Sequence, residues 1–108
     1  MVGKIEIIYT KEFIEYLDDL VLILYKKEYF GFIESADIYV SKIYDFIEQD
    51  IQNFPARKTP TILKHFGSNY IFYKSNQHTT WNIFFEQSDN NYLITNIINS
   101  NSEEVKHL

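Results

Sequence analysis

The chain contains no cysteine. Disulfides, thiolate metal sites and a cysteine nucleophile are therefore excluded, and a reducing compartment suits it. Glycine is scarce, with three among 108 residues, so no Gly-rich loop is available to cradle a phosphate. Long apolar runs are missing as well. The opening MVGKIEIIYTKEF lacks the apolar stretch of a signal peptide. No segment approaches the ~20 apolar residues needed to cross a bilayer. A cytoplasmic protein is expected. Finally, acid is missing from one place. Residues 51–85 carry Arg57, Lys58, Lys64 and Lys74 and no Asp or Glu, although the chain as a whole has a net charge of -5.

The rest of the chain supplies that negative charge. Residues 1–50 hold 11 acids against 5 lysines, and residues 86–108 hold 4 acids against Lys106. Net charge alone speaks against nucleic acid as a partner, but a local basic patch counts for more than the total. The acid-free stretch is read as a nucleic-acid surface, as chance segregation, or as a face that meets an acidic partner protein.

What is present is aromatic. Nine Tyr and nine Phe make a heavy load of large rings, which fill a small core efficiently while the Tyr hydroxyls need partners or water. The length fits one domain, residues 1–108, with one hydrophobic core. There is no internal repeat and no low-complexity tract.

Lys4 to Tyr9 alternates with period 2 and reads as a strand. Thr10 is a plausible N-cap, and Glu12 falls in the first helical turn, where negative charge is favoured. Phe13, Leu17, Leu20, Val21 and Leu24 form one helical stripe, predicting a helix from Lys11 to about Tyr25. A second stripe, Ala36, Tyr39, Val40, Ile43, Phe46, Ile47 and Ile51, predicts a helix from Ile33 to about Asn53, stopped by Pro55. The short link at Gly31 implies an antiparallel helix hairpin. Asn53 to Pro60 reads as a loop. Strands are expected at Thr61 to Phe66, Tyr70 to Lys74, Thr79 to Gln87 and Tyr92 to Asn99. Turn chemistry at Gly67-Ser68-Asn69 and Ser88-Asp89-Asn90-Asn91 suggests hairpins. In the last strand Tyr92, Ile94, Asn96 and Ile98 are read as one face. Ser102 to Leu108 is a short closing helix or a loose tail. The expected fold is α+β: an N-terminal strand, an antiparallel two-helix hairpin, then antiparallel strands forming a sheet packed on the helices.

Several segments resemble the RelE/ParE superfamily of toxins. "IIYTKEFIEYLDDL" is similar to its strand-into-helix opening, and "YVSKIYDFIEQDIQNFP" to its second helix and exit turn. "NYIFYKSNQHTTWNIFFEQSDNNYLITNIIN" resembles a subgroup with a Trp-x-Ile-Phe-Phe-Glu strand and a closing hairpin. The likeness covers nearly the whole chain. It implies the toxin of a bacterial type II toxin–antitoxin pair (plasmid stabilisation systems included), held in check by a cognate antitoxin. It also implies one of two targets: messenger RNA cut on the ribosome, or DNA gyrase, poisoned without cleavage chemistry by the toxin.

A metal-free ribonuclease must activate the 2′-hydroxyl, stabilise charge on the phosphorane and protonate the leaving oxygen. By resemblance, Lys58 and Lys64 can hold phosphate, with Arg57 nearby, and Lys74 can stabilise transition-state charge. Tyr73, Tyr70 or His78 can stack on a base or move a proton. The plainer reading makes Arg57 and Lys58 a solvated loop, and Tyr70 and Tyr73, taken to share one strand face, core packing. The chain departs from the subgroup at Asn99-Ser100-Asn101-Ser102, where a His is usual. His107 replaces it only if the tail folds over the sheet. No cofactor is expected. His65, His78 and Glu86 lack metal-site spacing, and no Ser, His and Asp are placed as a triad.

Overall fold

The structure, a computed structural model, describes residues 4–26, 33–75, 77 and 79–108. Gly31 and the link between the helices lie outside them.

Strand β1, Glu6–Tyr9, runs directly into helix α1, Lys11–Lys26. Thr10 makes the junction as expected. Its hydroxyl accepts the Phe13 N–H at 3.3 Å and donates to the Thr95 carbonyl at 3.3 Å, so the N-cap also ties the helix start to the sheet. Phe13, Leu17 and Leu20 are buried on one stripe of α1, with Val21 and Leu24 packed beside them. Helix α2 spans Ile33–Asp50 and buries Ala36, Val40, Ile43 and Ile47. Its backbone ends in turns through Phe54, whose N–H reaches the Asp50 carbonyl at 2.7 Å, before Pro55.

Four further strands follow: β2, Arg57–Lys58; β3, Asn69–Lys74; β4, Thr80–Ser88; and β5, Asn91–Asn99. Their order across the sheet is β1-β5-β4-β3-β2. The β2-β3, β3-β4 and β4-β5 pairs are antiparallel, as expected for sequential strands, but β1 pairs with β5 in parallel. The expected wholly antiparallel sheet is therefore corrected to a mixed one. The helices intervene between β1 and the rest of the sheet, and a crossover connection of this kind permits a parallel pair.

Two local expectations also change. Thr61–Phe66 is a 3-10 helix, not a strand. Pro60 precedes it and accepts the Leu63 N–H at 2.9 Å, while Gly67 follows and donates to Lys64. These flanking residues turn the backbone before its β-branched start can extend. The Asn53 to Pro60 loop in turn contains the two-residue edge strand β2. A short, charged edge strand discourages pairing with another chain.

The sheet is covered on both faces. Phe13, Leu17, Leu20, Val40, Ile43, Ile47 and Ile51 from the helical side meet Ile71, Trp81, Ile83, Phe85, Tyr92, Ile94 and Ile97 from the sheet. Burying each such side chain stabilises the fold by about 1.5–3 kcal/mol. On the far face Tyr70, Phe84 and Ile98 form a second cluster under Phe66, Val105 and Leu108. The C-terminal 3-10 turn, Glu103–His107, thus lies on the sheet and is no loose tail.

Strand β5 changes face halfway. Phe84 pairs with Asn96 but Phe85 with Ile94, leaving Thr95 as a bulge. Tyr92, Ile94 and Ile97 consequently point to the helices, and Ile98 to the far face. The reading of Tyr92, Ile94, Asn96 and Ile98 as one face is corrected by that single extra residue.

Candidate nucleic-acid interface

Alternation along β3 divides the candidate residues. Ile71 and Tyr73 face the helices, and Tyr70 joins the far-face cluster. With a period of two, Phe72 and Lys74 share the face of Tyr70. Tyr70 and Tyr73 are thus on opposite faces, which corrects their assignment to one face: three residues apart on a strand is an odd separation. Tyr73 stacks on Phe46 of α2, with centroids 5.0 Å apart and planes at 29°. It is separated by the sheet from the direction in which Lys74 projects.

The register of β2 places the next two cations. Arg57 pairs with Tyr70 and Lys58 with Asn69, so Arg57 takes the far face and Lys58 the helical face. The Arg57 guanidinium lies over the Phe72 ring, 5.0 Å from its centroid, a favourable cation–π contact. Phe72 meets Phe54 edge-on at 5.0 Å, and Phe54 meets Phe46 at 5.6 Å. A run of ring contacts therefore passes from Tyr73 through Phe46 and Phe54 to Phe72, around the edge of β3. Lys64 is exposed on the 3-10 helix whose Phe66 packs against Phe84.

Arg57, Lys58, Lys64 and Lys74 are all exposed. Among the described residues the ion pair is Lys11–Glu15 at 3.8 Å on α1, so none of these four cations has a carboxylate partner. Glu86, the nearest acid in sequence after the acid-free stretch, accepts the Ser68 N–H at 3.0 Å. The structure brings Arg57, Lys64 and Lys74 to the far side of the sheet or to the turn covering it. It puts Lys58 and Tyr73 on the other side. His78 lies outside the described residues.

The tail does fold over the sheet, which was the condition for His107 to substitute for a strand histidine. Val105 and Leu108 pack on the far-face cluster. In a 3-10 turn residues three apart eclipse, so Lys106 and His107 fall on the turn's other sides, and both are exposed. His107 is directed off the sheet. His65 packs against Phe66 at 4.3 Å between ring centroids. Among the described residues no three His, Asp or Glu side chains converge as metal ligands would.

Two residues of this surface escaped sequence reasoning, Phe72 and Asn82. Asn82 is buried on β4, directly between Phe72 and Ile98 in the strand register. Its signal was its place in the alternation Trp81-Asn82-Ile83, which sets it opposite the helical core. The arrangement offers exposed cations for phosphate, and a ring and guanidinium for stacking.

Comparison of the chain with protein-family models found no match, and comparisons with curated proteins and with solved structures found none.

Proposed function

We propose that this chain is the toxin of a toxin–antitoxin pair, and that its far sheet face contacts messenger RNA at the ribosome. The observation that carries the RNA reading is the set of exposed cations without acidic partners, Arg57, Lys64 and Lys74, on or over one sheet face. Such cations neutralise phosphates and gain affinity by releasing counterions. The order strand, two helices, then antiparallel strands supports the RelE/ParE likeness. In this reading Lys74 stabilises charge on the phosphorane, while Arg57 and Lys64 hold flanking phosphates.

The placement of Tyr73 favours a second reading. Among the described residues no His or exposed Tyr shares the far face beside Lys74 to move a proton. A toxin that binds without cutting, whether a gyrase poison or an inactivated fold retaining only antitoxin binding, needs no such group.

Pulse labelling after induction in a bacterial host separates the readings. Amino-acid incorporation falling before thymidine incorporation supports the RNA reading. Thymidine incorporation falling first, with a DNA-damage response, supports gyrase. Neither falling supports the inactivated fold.

A further inference from the structure

Arg57 is held by a ring and by no carboxylate. Its guanidinium lies over Phe72, 5.0 Å from the ring centroid, and among the described residues no acid pairs with it. Phe72 is itself braced. It meets Phe54 edge-on at 5.0 Å, and Phe54 meets Phe46 of α2 at 5.6 Å. A long side chain laid on a braced ring has less freedom to lose when it binds something. One side of the guanidinium is turned to Phe72, yet Arg57 remains exposed to solvent.

The chemistry of the group indicates the ligand. A guanidinium is planar and weakly hydrated, so its broad side stacks on π-systems while the N–H groups at its rim stay free for phosphate oxygens. An acidic side chain would engage the rim and leave the plane idle. An apolar ligand would strip water from a charge without replacing it. A nucleobase next to its own phosphate engages both. Lys74 is exposed two residues beyond Phe72 on the same face, and no acid occurs between residues 51 and 85.

We propose that Arg57 stacks on one base of a single-stranded RNA, with its guanidinium sandwiched between that base and Phe72. Its N–H groups and Lys74 take the adjoining phosphates. The inference rests on the RNA reading above and deepens it by naming the form of RNA that the surface accepts. Bases in a duplex stack on one another and withhold their faces, so the platform selects unpaired bases. It does so with little regard to sequence, because every base has a π-face.

The test is binding of the full chain, by fluorescence anisotropy, to two labelled strands of equal length and charge. One is oligouridine and the other is the same ribose-phosphate backbone without bases. Wild type is expected to bind the strand with bases more tightly by about fivefold or more, the worth of one stacked base. Arg57→Lys keeps the charge and loses the plane, so the two affinities should converge while both strands still bind. Phe72→Leu leaves the guanidinium unsupported and should shrink the same preference. Equal wild-type affinities, or a preference unchanged in Arg57→Lys, overturns stacking by Arg57 while leaving phosphate contact intact. No binding of either strand by the folded wild type overturns both this inference and the RNA reading. Arg57 is exposed, so the deciding variant, Arg57→Lys, does not disturb the core, and the wild-type comparison stands even if Phe72→Leu fails to fold.

Discussion

The indole N–H of Trp81 donates to the Tyr39 hydroxyl at 3.0 Å, joining β4 to α2 through the core. Tyr39 stands 2.8 Å from Ser75 Oγ, which donates to the Thr79 carbonyl at 3.2 Å. The network therefore braces the β3–β4 hairpin beside Lys74 against the helix. Trp81 is only 3% exposed, so losing its acceptor strands a buried donor. Tyr39→Phe is expected to cost about 1–3 kcal/mol in urea unfolding followed by Trp81 fluorescence. An unchanged midpoint would show that the indole finds another acceptor.

Gly67 should tolerate no side chain. It sits at φ 154°, and an added Cβ would stand 2.6 Å from Thr95 Oγ1 and 2.9 Å from the Phe85 nitrogen. Thr95 is itself fixed by hydroxyl contacts to the Phe66 and Phe84 carbonyls. Overpacking at such a junction costs about 1–3 kcal/mol. Thermal unfolding of Gly67→Ala should show a clear fall in Tm, and a wild-type Tm would place the 3-10 helix differently over the bulge.

Alkaline pH should destabilise the fold. Tyr9 is pushed well up by burial and then by Glu48, to which its hydroxyl donates at 3.1 Å. Burial also raises Tyr16, and burial followed by Asp18 raises Tyr44. Unfolded tyrosines ionise near 10. Above about pH 10 the unfolded chain has released protons that the native state retains, so stability is complete below that pH and declines as pH rises toward the raised native values. Urea midpoints at pH 8 and 11 check this, with Tyr9→Phe shrinking the difference. Equal midpoints would contradict it.

The faces on which the cations stand should be visible in salt dependence. Each phosphate contact to a single strand contributes about 0.7 to the slope of log affinity against log salt. Arg57→Ala, Lys64→Ala and Lys74→Ala should each flatten the slope, and Lys58→Ala, across the sheet, should leave it near wild type. A Lys58 effect equal to that of Lys74 would mean that RNA wraps the β2 edge.

Legibility in the sequence followed the range of the interaction. The stripes of α1 and α2, the Thr10 cap and the strand at Thr79 to Gln87 are local patterns, and each emerged close to where it was read. Thr95 carries no sign of being a bulge, because its hydroxyl partners, Phe66 and Phe84, lie 29 and 11 residues away. That one residue decides which face Ile97 and Ile98 take. The parallel pairing of β1 with β5 is likewise a long-range choice. At the candidate site the cations were legible as charge, but their faces were not, since Arg57 and Lys58 owe theirs to a two-residue strand. Asn82 was legible as a polar residue on an alternating strand. Its burial depends on covering both sheet faces, and the cover on the far side is built from distant 3-10 turns.

Growth after tightly controlled expression in a bacterial host tests the central claim most directly, with wild type compared to Arg57→Ala/Lys74→Ala. The account predicts arrest by wild type and relief by the double variant at equal levels of soluble protein. Continued growth with wild type abundantly expressed and folded would contradict it.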